Sequence, residues 1–133
     1  MIVADTNLIA YLLIKGPFKA DADAVYEKDA AWVAPLLWRS ELRNVLILSL
    51  RRKVLSWDAV LGVMDRAERL MMGHDYQIAS SRILRLAADS GCTSYDCEFV
   101  ALAQELAVPL VTSDTALLAK FKPIAMSMRD FCA

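Results

Sequence analysis

The chain has one histidine, His74, among its 133 residues. Clusters of histidine ligands and histidine relays spanning several sites cannot be built from it. Cysteine is nearly as scarce. Cys92, Cys97 and Cys132 are odd in number and contain no C-x-x-C pair, which provides no zinc framework and a poor disulfide framework. Free thiols in a reducing cytosol fit them, so a cytoplasmic location is expected. Basic charge is not in excess either. Fifteen Lys and Arg against 16 Asp and Glu give a net charge of −1 with histidine neutral. That excludes a broadly basic nucleic-acid-binding domain, though not a local basic patch. No apolar run approaches the roughly 18 residues that span a membrane. The start, Met1-Ile2-Val3-Ala4-Asp5, has neither the basic beginning nor the long apolar stretch of a signal peptide. Carboxylates are what remains for chemistry.

Hydrophobic residues make up 57% of the chain, above the usual 45–50% or so, which excludes disorder and implies that a partner covers some apolar surface. The length suits one domain spanning residues 1–133, able to bury roughly two-thirds of its unfolded surface without a staple. Three short apolar runs read as buried strands: Ile2–Ala4, Ala31–Ala34 and Pro109–Thr112. A fourth is expected at Ile124–Met126 and a fifth near Asp75–Gln77. Between them the periodicity turns helical. Leu37, Glu41, Val45 and Leu48 share a face of a helix beginning near Pro35. Val60, Val63, Met64, Ala67, Leu70 and Met71 form a second stripe. Ile83, Leu84, Leu86 and Ala87 mark a third helix ending near Gly91, and Phe99, Val100, Ala103 and Leu106 a fourth ending before Pro109. Strands alternating with helices predict a single α/β domain, with a parallel sheet covered on both faces.

In open parallel sheets, ligands bind beyond the carboxyl ends of the strands. Asp5 follows the first strand and Asp114 follows the strand ending at Thr112. Glu41 falls on the apolar stripe of its helix, and Asp96 lies below Val100, Ala103 and Ala107 on its own. A buried, unpaired acid costs several kcal/mol unless a cation or hydrogen bonds compensate. Structural duties are the alternative. Asp5 and Asp114 suit helix N-caps, Thr93 and Asp96 have capping-box spacing, and Glu41 could pair with an arginine. Setting the four acids aside leaves 12 against 15 bases, so the remaining surface is net +3. Four gathered carboxylates cannot all stay ionised without a cation. Oxygen-only donors suit Mg²⁺ or Mn²⁺ rather than zinc.

Asp5-Thr6-Asn7 after the first strand, Glu41 in Ser40-Glu41-Leu42, Asp96 in the run from Ser94 to Ala103, and Thr112-Ser113-Asp114 together resemble the PIN-domain nucleases, most closely the VapC-type toxins of bacteria and archaea. The four segments occur in the family's order and spacing, and the resemblance covers essentially the whole chain. It implies a sheet of about five parallel strands between helices, and cleavage of RNA phosphodiesters with Mg²⁺ or Mn²⁺. It makes Asp5 and Asp96 the firmest metal ligands, with Glu41 and Asp114 completing the cluster. Asn7 and the Thr112 hydroxyl would orient a carboxylate or a water. Hydrolysis by a metal-activated water would leave a 5′-phosphate and a 3′-hydroxyl. Two partners are also implied: a second copy in a homodimer, seamed by the Val60–Met71 stripe, and an antitoxin filling the groove. Cys97 stands where the family often carries alanine, and the segment Thr115–Phe121 is less typical of it.

Two other readings compete. One is a catalytically silent PIN-like module that binds RNA or protein. The other is a receiver or phosphatase domain with Asp5 as phosphoacceptor, against which stands the absence of an adjacent acidic pair. Among the bases, Arg51-Arg52-Lys53 suits a helix C-terminus, Arg82 and Arg85 lie one turn apart, and Arg39 and Arg43 flank Glu41. RNA contact is open to each group.

Overall fold

Five strands and eight helices alternate in a computed structural model that describes all residues, Met1–Ala133. The strands are β1 (Ile2–Ala4), β2 (Trp32–Pro35), β3 (Asp75–Tyr76), β4 (Leu110–Val111) and β5 (Ala125–Met126). The helices are α1 (Thr6–Leu13), α2 (Lys19–Lys28), α3 (Trp38–Arg51), α4 (Trp57–Leu70), α5 (Ser80–Ser90), α6 (Ser94–Leu106), α7 (Thr115–Lys120) and α8 (Met128–Cys132). All pairings are parallel, in the order β3-β2-β1-β4-β5. The expected α/β domain with a five-stranded parallel sheet is what forms. No helix is long and apolar enough to cross a membrane.

β1 is central and buried along its whole length. The strands on its two sides follow it in opposite directions through the chain, so the strand order reverses between β1 and β4. A crevice opens beyond the carboxyl ends of strands at such a reversal. Asp5 and Thr112 are the first residues past those two ends.

Helix α3 departs from the sequence reading. Pro35 ends β2, paired with Tyr76, and does not open the helix. Its locked φ suits an extended edge-like position, and its missing N–H costs the ladder nothing there. The helix starts at Trp38, and the buried stripe is Trp38, Leu42 and Leu46, with Leu48 exposed. The indole ring takes the core place, which turns the helix by about one residue, roughly 100°. Glu41 therefore sits half-buried at the margin of the core.

The Val60–Met71 stripe is another correction. Val60, Val63, Ala67 and Met71 are buried inside the chain itself, so they are core and not a dimer seam. Ser56 caps this helix by accepting from the Ala59 amide at 3.1 Å. On α5, Ile83, Leu86 and Ala87 pack inward half-buried, but Leu84 faces out. Gly91 closes α5 in the left-handed conformation, as its lack of Cβ allows. α6 ends at Ala107, left-handed at φ 54 and ψ 45 without being glycine, and it is exposed, so the expected face running from Asp96 to Ala107 stops at Ala103. Helices α1, α2, α7 and α8 have no counterpart in the periodic stripes, though the cap readings of Asp5 and Asp114 anticipate α1 and α7. α2 buries only Ala22 and Val25 and is mostly polar.

Candidate active site

The turn from β1 into α1 places Asp5 as an N-cap with extended φ and ψ. One carboxylate oxygen accepts from the Thr6 amide at 2.7 Å. The other accepts from the Thr112 hydroxyl at 2.5 Å, across 107 residues of sequence. The same hydroxyl oxygen accepts from the Asp114 amide at 3.0 Å. Thr112 thus ties together the two strand ends that frame the crevice, and it is 1% exposed. Asp114 caps α7, accepting from the Leu117 amide at 3.0 Å. Capping and the site are therefore compatible for Asp5 and Asp114. A cap uses one oxygen and leaves the group facing the crevice.

Thr6 donates its hydroxyl to Glu41 at 2.8 Å. That bond links α1 to α3, and the arginine pairing that was the structural alternative for Glu41 does not form. Arg39 instead bonds Asp75 at 3.1 Å and reaches Glu68 at 3.9 Å. Asp96 stands in the first turn of α6, where the Thr93 hydroxyl accepts from the Asp96 amide at 3.1 Å.

All four acids line one open cleft of about 390 Å³, together with Thr6, Asn7, Ser40, Asn44 and Tyr95. Each expected residue is there except Thr112, which lies just beneath Asp5. Sequence reasoning missed Thr6, Ser40, Asn44 and Tyr95. The signal available was adjacency: Thr6 follows Asp5, Tyr95 precedes Asp96, and Ser40 and Asn44 are one helical turn apart beside Glu41.

Three of the four carboxyls are held above their ordinary range. Burial is the main cause for Asp5, reinforced by the charges of Asp96 and Asp114 and opposed by the bonds from Thr112 and Thr6. Burial likewise leads for Glu41, helped by Asp5, Asp96 and Glu98 and opposed by Thr6. For Asp96, burial leads, then the Asp114 charge, with Thr93 opposing. The electrostatic frustration is mutual, and a cation between them would relieve it.

The donors are all oxygen, which fits a hard divalent ion. No three of the side chains stand close enough together to make a closed cage. Mg²⁺ tolerates this, because it keeps several waters and is held by one or two carboxylates plus substrate phosphate.

A sequence profile of the PIN domain matches residues 2–122. The solved structure of PAE2754 from Pyrobaculum aerophilum superimposes with a TM-score of 0.78 at 22% identity, covering 98% of this chain and 92% of that one. At that identity the likeness concerns the fold. No curated protein matches the chain.

Proposed function

Because the chain belongs to the PIN-domain family, a nuclease-type fold, we propose that it is a divalent-metal-dependent endoribonuclease, the toxin of a type II toxin–antitoxin pair. The observation that carries this reading is the convergence of Asp5, Glu41, Asp96 and Asp114 on one cleft at the strand-order reversal. A pure binding module gains nothing from burying like charges together.

Asp5 and Asp96 are the principal holders of Mg²⁺ or Mn²⁺, and Glu41 and Asp114 extend the acidic field. When bound, the metal screens the phosphate charge and makes water a competent nucleophile at neutral pH. The chain's own groups do the positioning. Thr112 fixes the orientation of Asp5, and Thr6 fixes Glu41, so neither carboxylate rotates away from the cleft. Asn7, at the cleft wall, orients a water or a phosphate oxygen. The rest of the surface, net +3, offsets the cost of bringing polyanionic RNA to an acidic site.

Purified protein incubated with unstructured and structured RNA in Mg²⁺ or Mn²⁺ is expected to cut internally and leave 5′-phosphates, and a chelator or Asp96→Asn is expected to stop it. Inertness toward every RNA, free of any antitoxin, would sink the assignment. A short upstream reading frame encoding a DNA-binding domain with a C-terminal tail would support the antitoxin. Cytoplasmic residence and a homodimer belong to the same proposal. Trp57 and Leu61, one turn apart on α4 and both exposed, supply apolar surface for a second copy.

The competing reading is a catalytically silent RNA- or protein-binding module. The open spacing of the carboxylates favours it. Calorimetry that detects no bound divalent ion would select it.

A further inference from the structure

The residues lining the cleft include no lysine or arginine. RNA phosphates find no cationic side chain there, so beyond the proposed metal any grip on the strand at the cutting point comes from uncharged groups. One candidate stands out by exposure. Tyr95 is 61% exposed, is the only aromatic residue on the cleft, and directly precedes Asp96 in the first turn of α6. An exposed aromatic face of this size is costly to hydrate and is not being used to build the core. The same cleft is lined by Ser40 and Asn44 of α3, which offer a hydroxyl and an amide, and by half-buried Leu37 and Val45. An aromatic plate that shares one cleft with a hydroxyl, an amide and apolar groups suits a nucleobase. A base has a π-face for the ring and polar edges for the amide. The volume, about 390 Å³, lies in the range of small-ligand pockets and admits a single nucleotide rather than a helix.

We propose that Tyr95 binds substrate by stacking on the base of the nucleotide beside the bond that is cut, with Asn44 and Ser40 facing that base's edge. This rests on the nuclease reading for the identity of the ligand. The stack sets the register of the strand, because the residue next in sequence is Asp96. The backbone that links them holds the plate and the carboxylate at a fixed offset.

The test separates this assignment from the nuclease reading by measuring binding apart from cleavage. Short unstructured oligoribonucleotides carry the fluorescent base 2-aminopurine at one position, moved stepwise along the strand, and are titrated with the Asp96→Asn protein in Mg²⁺. The expected result is quenching of the probe at one position above all others. Adding Tyr95→Leu should abolish that quenching and weaken binding by about 10- to 100-fold. Tyr95→Phe should restore most of both, and the melting temperature of each variant should stay where it was. In cleavage by otherwise wild-type protein, Tyr95→Leu should raise KM far more than it lowers kcat. An abasic nucleotide at the quenched position should reproduce that loss and leave Tyr95→Leu no further effect. Binding that is absent, or unchanged by Tyr95→Leu, overturns the assignment, as does a loss confined to kcat. Wild-type protein that cuts nothing, yet binds the probes through Tyr95, would remove the nuclease reading and keep the base-stacking role of Tyr95 while overturning its placement beside a cut bond.

Discussion

Thr112 carries more of the site than any other uncharged residue. Its hydroxyl has one proton, and that proton goes to Asp5 at 2.5 Å. Its oxygen takes the Asp114 amide. Replacing it with valine preserves shape and removes both bonds, leaving a buried carboxylate oxygen and an amide unsatisfied. Thr112→Val should lower cleavage by about 10- to 100-fold and destabilise the fold by roughly 1–3 kcal/mol in urea titration. Thr112→Ser should recover most of the activity. The carboxyls make a pH prediction whose sign follows from their raised pKa values. The folded chain holds these protons more tightly than the unfolded chain does. Their contribution is therefore intact below the ordinary carboxyl range and is lost as pH rises through the folded values. Asp29, held low by its bond with the N-terminal amine, acts in the opposite sense and at lower pH. Metal-free protein should accordingly melt at falling temperatures from about pH 4 upward. Asp96→Asn should flatten that slope and melt no lower than wild type at neutral pH, while abolishing cleavage. A marked drop in its melting temperature would mean that the carboxylate mainly serves the helix. Asp5 and Asp114 were legible from their place past strand ends and Asp96 from the apolar stripe above it, whereas Glu41 was reached through a stripe that α3 turns to the margin of the core. Thr6 was not legible, since a threonine at a helix start is ordinary, and only its bond to Glu41 marks it.

Among the elements, α3 shows how a correct element can be read in the wrong rotation. Its apolar residues admit two stripes, and periodicity weighs Leu37, Val45 and Leu48 as heavily as Trp38, Leu42 and Leu46. Side-chain volume decides between them, because the large indole ring fills the core and a smaller residue in its place would leave a void. Leu42→Ala should therefore cost about 2–5 kcal/mol, whereas Leu48→Ala, half out in solvent, should cost under about 1 kcal/mol by denaturant titration. Equal costs would mean that the helix sits the other way round. α6 offers a change in the opposite direction. Ala107 holds a left-handed φ of 54, where a Cβ is strained and glycine is not. Ala107→Gly should stabilise the protein by about 0.5–1 kcal/mol and raise its melting temperature by roughly 2–4 °C. Helices α2 and α8 escaped the sequence reading for the reason that makes them peripheral: too few apolar residues to show a period.

Over the whole molecule, near-neutral charge conceals two populations, four acids facing one cleft and a remainder of net +3. A cation that binds only the folded arrangement must stabilise it by mass action, by about 2.7 kcal/mol at a hundredfold excess over its Kd. Saturating Mg²⁺ should raise the melting temperature of the wild type above its value in chelator, and should do much less for Asp96→Asn. Identical melting in both solutions would count against a metal site. The topology was legible at this scale because alternation of strand and helix leaves few alternatives to a parallel sheet. The strand order was not, because nothing in β1 announces that its partners are β2 and the distant β4.

That order has a consequence in time. β1 precedes the other four strands in the chain, and the bond from Thr112 to Asp5 spans 107 residues, so Asp5 is synthesised long before Thr112 and Asp114 can complete the crevice. The crevice is therefore a late product of synthesis, out of reach until β4 has joined β1.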